Sequence, residues 1–402
     1  MTKSSAGAPP QPIRVALVVP HIFMHRDILP HVIFSPGYLA LSLADGLKIQ
    51  GIDVTLFTAG PVDTAVQNIT ADLSLFENEL AGREDSYIDL LKKHPFTFIT
   101  LARQVQSELV AKAYVMANDG MFDIVHVYTN EEELALPFAS LCRKPVVFTH
   151  HDPFNFLIKY KNNFPKYKHL NWISMSYAQR KGMPADTNWT ANIYHGLHDT
   201  LLTPTEDPAN DYVAYIGRII EPKGVHLAIA AVKRFNKTAA KPLQLKIAGK
   251  HYADESKDRY WQKVIEPELC DVIKYVGFID SSSVKRDFLA NARALIVPSL
   301  FDEPFGMVTV EAFACGTPVI VLESGALPEV VEHNRTGFII KKSSNTRGET
   351  DEIIAIRGIA KAIEDIGTID RAACRTAYET RFTLATMALE HKKVYERLAA
   401  VR

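Results

Sequence analysis

Nowhere in the 402 residues does an apolar run approach the ~20 residues needed to cross a bilayer; runs such as Ala294–Val297 and Val319–Leu322 fall far short. Neither sign of charge dominates. There are 45 Lys and Arg against 46 Asp and Glu, a net charge of -1, which speaks against a nucleic-acid partner. Cysteine is scarce, and Cys142, Cys270, Cys315 and Cys374 lie far apart with no C-x-x-C. That excludes a disulfide framework and a zinc motif, and it fits a reduced, cytoplasmic chain. Residues 1–12 are rich in Ser, Ala and Pro without an apolar core, so they read as a flexible lead-in and not as a signal peptide. No G-x-G-x-x-G follows an apolar run, which argues against a nicotinamide dehydrogenase. Ala248-Gly249-Lys250-His251 lacks the spacing of a P-loop.

What is present is a repeated alternation. Short apolar runs occur at Val15–Val19, Val54–Phe57, Ile124–Val127, Val146–Thr149 and Ile173–Ser176. They occur again at Tyr212–Ile216, Leu243–Ala248, Ile273–Val276, Ala294–Val297 and Val319–Leu322. Continuous apolar runs predict parallel strands buried on both faces. Between them lie helical stripes, such as Leu39, Leu43 and Leu47, or Val225, Ala228, Ile229 and Val232. The expectation is α/β, with two doubly wound domains in tandem. The prolines and polar residues of Thr203–Asn210 mark the boundary. The expected division is 13–202, then 203–380, then a tail at 381–402 that is either an end cap or a crossing back to the first domain.

In open α/β sheets, ligands sit beyond the carboxyl ends of the strands. Two such loops stand out. In the first, Gly217 permits a tight turn and Pro222 suits a first helical turn, with Arg218 and Lys223 placed at a helix start. A planar fork, a point charge and free helix N–H groups together suit a diphosphate; the plainer reading is two solvated surface cations. In the second loop, Glu303 precedes a helix predicted to start near Gly306 or Met307, and Glu311 lies more than a turn inside it. A carboxylate can accept both hydroxyls of a vicinal diol, so Glu311 suits a ribose and Glu303 a sugar. Favourable placement at a helix start explains Glu303 equally well, but not Glu311.

Together with Lys223-Gly224, Glu303-Pro304-Phe305-Gly306, Gly316-Thr317-Pro318-Val319, Ser324-Gly325-Ala326-Leu327-Pro328-Glu329 and Asn334-Arg335-Thr336-Gly337-Phe338, these residues resemble the retaining GT-B glycosyltransferases of family four (glycosyl transferases group 1). Tyr194-His195-Gly196-Leu197 and Arg381-Phe382-Thr383, with Met387 and Tyr395, extend the likeness. The resemblance implies two Rossmann-like domains facing a central cleft, the last helix crossing back to the first domain. It implies a nucleoside diphosphate sugar held by the second domain, a UDP-sugar ahead of a GDP-sugar, and a hydroxyl acceptor held by the first. Arg218 and Lys223 would stabilise the leaving diphosphate, Glu311 the ribose, Glu303 the sugar. Backbone N–H groups of Phe305, Gly306, Met307 and Val308 would touch phosphate and sugar, and Gly277, Phe278 and Ile279 would lie near the base. On the acceptor side, Gly37 occupies the helix start after a long His-rich loop, Pro20 to Pro36, that replaces the family's Gly-Gly pair. Val146 to Asp152 resembles the strand ending in a histidine beside the donor sugar; alignment through Thr149 favours His151 over His150, with Asp152 adjoining and unassigned.

The expected reaction is transfer of a hexose-type sugar with retention by a front-face path and no cofactor. It is expected to be metal-independent, because D-x-D is absent and two cations can neutralise the diphosphate. A metal site at His21, His25, His31 and His126 is disfavoured by the interrupting prolines. Phe156 to Trp172 mixes four lysines with five aromatics. Snorkelling on a half-exposed helix is preferred there over contact with an anionic lipid surface or an acidic acceptor. The rivals for function are a sugar phosphorylase or epimerase on the same fold, and a catalytically idle nucleotide-sugar binder.

Overall fold

The structure is a computed structural model that describes residues 11–129, 132–197, 200–251, 258–342 and 350–400. Residues 1–10 of the lead-in lie outside the described residues. The chain divides into two compact units. One comprises the chain up to Ser174, Gly182–Ile193, and Met387 onward; the other comprises Met175–Lys181 and Tyr194–Thr386.

Each apolar run named above forms a strand. In the first unit these are β1 (Arg14–Val19), β2 (Asp53–Thr58), β3 (Gln67–Thr70), β4 (Ile124–Tyr128), β5 (Val146–Thr149), β6 (Asn171–Ser174) and β7 (Trp189–Asn192). They form one parallel sheet in the order β3-β2-β1-β4-β5-β6-β7, with Val15 opposite Val54 on one side and Ile124 on the other. The second unit holds β8 (Tyr212–Ile216), β9 (Gln244–Ala248), β10 (Ile273–Gly277), β11 (Ala294–Val297), β12 (Val319–Leu322) and β13 (Gly337–Ile340). Their order is β10-β9-β8-β11-β12-β13, again parallel throughout. Each sheet has its own apolar core. In each, the strand order reverses beside the first strand, at β1/β4 and at β8/β11, and a crevice for ligand opens at such a point.

The helical stripes bury as their periodicity requires. Leu39, Leu43 and Leu47 lie inward on helix Ser35–Ile49, and Val225, Ala228, Ile229 and Val232 on helix Val225–Asn236. The linker 203–210 belongs to the second unit, where the Arg286 guanidinium donates to the carbonyls of Thr203 at 3.0 Å and Pro204 at 2.6 Å. The chain changes unit at Ile193/Tyr194 and again at Thr386/Met387. The two connections are bonded to each other: Leu197 N–H donates to Phe382 O at 2.9 Å, and Leu384 N–H to Leu197 O at 2.8 Å. Helix Leu384–Ala400 joins the first unit from Met387 onward. There Tyr395 Oη meets His126 Nδ1 at 2.7 Å and Lys392 donates to Gln50 O at 2.8 Å.

Candidate active site

The site in the second unit is built by the loops that follow β8 and β11, the two strands flanking the reversal. Backbone bonds tie the ends of β8, β9 and β10 together, Gly217 N–H to Ala248 O at 3.1 Å and Gly249 N–H to Gly277 O at 2.9 Å. Gly249 has no room for a side chain, since a Cβ would come within 1.8 Å of Gly217 O. Arg218 projects from the β8 loop, exposed and, among the described residues, in no ion pair. Its carbonyl accepts from the Tyr215 hydroxyl at 2.8 Å. Burial pushes the Tyr215 phenol well above its ordinary value, and the phenol also feels Glu303, which raises it, and Arg218, which lowers it.

Lys223 ends the short helical turn Glu221–Lys223 and reaches Glu303 of the other loop, Nζ to Oε1 at 2.5 Å. Glu303 is only 8% exposed. Its loop is fastened from below by Gly325, whose φ of 52° and closeness to the Glu303 backbone (a Cβ would lie 2.2 Å from the carbonyl oxygen) admit no larger residue without displacement. Ala326 N–H donates to the same carbonyl at 2.8 Å. The helix that follows is Met307–Ala314 with Gly306 as its N-cap, so the Met307 and Val308 N–H groups have no acceptor within the helix. Phe305 is buried, its ring 5.8 Å from Tyr194 and 5.1 Å from His195, so its side chain serves the core. At the end of β10, Phe278 is 47% exposed with Lys250 Nζ 4.1 Å from its ring centre, while Ile279 packs on the core.

Thus Lys223 and Glu303 are bonded to each other, and Glu303 and Arg218 both act on the Tyr215 phenol. Glu311 differs in having a cation of its own: Lys285, on helix Ser282–Ala290, donates to Oε1 at 2.9 Å. No local pattern marks Lys285, because the pairing joins two separate helices, with β11 between them in the chain. Lys342 was also missed. It donates to Leu300 O at 3.2 Å and Ser324 Oγ at 2.9 Å, and burial lowers its pKa from the ordinary value. Glu329 had no role in the sequence reading; it accepts from the N–H groups of Tyr177 at 2.9 Å and Ala178 at 2.5 Å. With Ser176 Oγ donating to Pro304 O at 2.7 Å, this fastens 175–181 to the second unit beside the Glu303 loop.

In the first unit, His150 and His151 follow β5, and both are buried. The His150 ring is enclosed by Phe154, Tyr160 and Phe164, with centroids within 5.1 Å, and burial pulls its pKa down to about 4. The His151 ring lies edge-on to Tyr128 at 4.4 Å. Asp152 is half-buried and accepts from Tyr160 Oη at 3.4 Å. Gly37 sits where a Cβ would meet Met24 Sδ and Phe34 Cδ1, each at 2.7 Å, so it seats the His-rich loop on helix Ser35–Ile49. His126 bonds Tyr395 and Thr149 while His31 is exposed, and among the described residues no group of three or more His, Cys, Asp or Glu is placed to hold a metal. Within Phe156 to Trp172, Tyr160, Phe164 and Trp172 are core residues, while Lys159 pairs with Glu133 and Lys168 with Asp186.

Comparison with known proteins bears on the same region. Residues 204–356 match the family model described as glycosyl transferases group 1. The glycogen synthase of Mycobacterium tuberculosis is 31% identical over 207 residues, covering 50% of this chain and 44% of that protein. The alpha-maltose-1-phosphate synthase of Mycolicibacterium smegmatis is 29% identical over 196 residues, covering 47% and 48%. The matches therefore span under half the length of these relatives. Among solved structures, the sucrose-phosphate synthase of Thermosynechococcus elongatus superposes with a TM-score of 0.68 at 20% identity, covering 97% of this chain and 100% of that one. Anabaena Alr3699/HepE in complex with UDP and glucose does so with 0.64 at 18% identity, covering 96% and 100%. At such identities the likeness is one of fold. Residues 204–356 thus resemble the glycosyl transferases group 1 family, and the two Rossmann-like units share the fold of these GT-B structures.

Proposed function

We propose that the protein transfers a hexose-type sugar from a nucleoside diphosphate to a hydroxyl acceptor with retention of configuration, as a family-four enzyme of the cytoplasm. The observation that carries this reading is the Lys223–Glu303 pair at the β8/β11 reversal, with Arg218 on the adjoining loop. Lys223 and Arg218 neutralise the departing diphosphate, and the Met307 and Val308 N–H groups add donors to it. Glu303 accepts hydroxyls of the sugar, and its bond to Lys223 sets sugar and phosphate positions one hydrogen bond apart. Glu311, oriented by Lys285, takes the ribose diol. Phe278, with Gly277 and Ile279 beside it, offers an exposed face to the base. His151 takes the family's role of stabilising positive charge at the anomeric carbon, and Gly37 and Asp152 are assigned to the acceptor side. The acceptor's proton passes to the leaving phosphate as the new glycosidic bond forms, a front-face path that needs no enzymic nucleophile. Two cations supply the charge that a divalent ion would otherwise bring, so the reaction is proposed to run without metal.

The donor is proposed to be a UDP-sugar, with a GDP-sugar next; the HepE complexes hold UDP and UDP-glucose. Thermal unfolding in the presence of UDP-glucose, GDP-mannose and ADP-glucose tests this, since a donor held at 100 times its Kd adds about 2.7 kcal/mol of stability. Arg218→Ala should remove most of the shift and lower turnover ~100-fold or more. An Arg218→Ala protein that still releases UDP at the full rate with EDTA present overturns the diphosphate assignment.

A further inference from the structure

The first unit carries a cavity of about 260 Å³ that the proposed chemistry leaves unused. It opens between His21–Phe23, which directly follow β1, and the opening turns of helix Pro95–Asn118. That is the carboxyl end of the strand at the reversal of the first sheet, where doubly wound folds place ligands. Hydrocarbon from Ile22, Phe23, Leu91, Phe98, Ile99 and Ala102 makes most of the wall, and His21, the exposed Arg103 and Gln106 make the rest. Ile99 is 51% exposed at the rim and Phe96, one turn earlier, is 85% exposed.

Of the polar wall groups, Gln106 lies deepest. Gln106 is 3% exposed and lines the cavity, its amide reachable from the open space. A primary amide at a cavity wall bonds water when the cavity is empty and a ligand hydroxyl when that water is displaced. His21 is a further polar group of the wall. Its Nδ1 accepts from Phe23 N–H at 3.2 Å, which puts the ring proton on Nε2. Burial and the nearby Lys159 charge hold its pKa down at about 4, so the ring is neutral near pH 7.

We infer that this cavity is the acceptor's binding pocket and that the acceptor is a compact apolar alcohol, one or two rings in size, whose polar group bonds Gln106. This rests on the glycosyltransferase reading. An apolar cavity of ~150 Å³ holds one benzene, so the volume suits a bicyclic group better than a long acyl chain or a free sugar, which would leave hydroxyls against Phe98 and Ile99.

Saturation-transfer NMR on the full-length protein, with 2-naphthol, naphthalene and methyl α-glucoside as probes, reads binding without needing turnover. Expected are saturable binding of 2-naphthol, weaker binding of naphthalene and none of the glucoside at this place. Ile99→Trp, a change at the exposed rim, should weaken 2-naphthol at least tenfold while the UDP-glucose thermal shift stays as it is. Gln106→Leu, of similar volume, should bring 2-naphthol down to the affinity of naphthalene, roughly five- to tenfold. Non-saturable 2-naphthol signals, or Gln106→Leu binding 2-naphthol as tightly as the parent, overturn the proposal. So does a methyl α-glucoside signal that Ile99→Trp abolishes. Loss of donor binding by the parent protein would instead count against the glycosyltransferase reading, leaving the pocket result to stand by itself.

Discussion

At the residue scale the decisive contact is Lys223 with Glu303. Both are largely buried, the Lys223 side chain at 21% and the Glu303 side chain at 10% exposure, so each is the other's main compensation for lost water. Lys223→Met should therefore destabilise the protein by ~1–3 kcal/mol as well as silence it, because the Glu303 carboxylate is left uncompensated. The double variant Lys223→Met with Glu303→Gln should regain most of that stability and none of the turnover. Denaturant midpoints set beside initial rates check this; a double variant no more stable than the single one means the pair is not what holds the loops. Arg218, Lys223 and Glu303 were legible because each sits at a strand end or helix start that local pattern defines, and Glu311 because it lies inside the helix that follows. Lys285, Lys342 and Gln106 were not, for an ammonium or amide on a separate element acquires its meaning only once two elements meet. His150 and His151 look interchangeable as neighbours in the sequence, yet one is walled in by Phe154, Tyr160 and Phe164 and the other lies against Tyr128.

Among the elements, the buried strands could be read and three edge strands could not. β3, β7 and β13 close the sides of their sheets and are mostly half-buried, so Gln67–Thr70, Trp189–Asn192 and Gly337–Ile340 lack the continuous apolar run that two-sided burial produces. The loop between β12 and helix Leu327–Val330 has a function that its own residues do not show: it carries Gly325, on which the Glu303 backbone rests. Gly325→Ala should cost ~1–3 kcal/mol from left-handed strain and displacement of Glu303, and it should lower kcat even though no side chain of the site is changed. Measuring kcat and the thermal midpoint together decides; a Gly325→Ala variant with parental kcat means the Glu303 loop holds its own shape.

For the whole molecule, the strongest acid sensitivity lies in the first unit. His150 and His391 are held neutral by burial with pKa values down at about 4, and His126 lies well below its ordinary 6.5. In the unfolded chain each takes up a proton near pH 6.5, so the folded state binds fewer protons below that pH and loses stability on acidification. The loss begins near pH 6.5 and grows down to about pH 4, reaching about 3 kcal/mol for each of His150 and His391. Trp172 and Trp189 lie in the first unit and Trp261 in the second, so the fluorescence of a Trp261→Phe variant reports the first unit alone. Its thermal midpoint should fall steadily between pH 6.5 and 4.5; a flat profile would show that these imidazoles are not buried neutral.

The first unit is also discontinuous along the chain, and this has a consequence for biosynthesis. Its sheet is translated early, but the hydroxyl of Tyr395 that meets His126 arrives only after the whole second unit has been made. While the ribosome is still working through the later strands, that imidazole stands without its phenol partner in an otherwise oily layer. The nascent polypeptide is then most open to aggregation, or to capture by a chaperone, on its amino-terminal half, and docking of helix Leu384–Ala400 closes that interval.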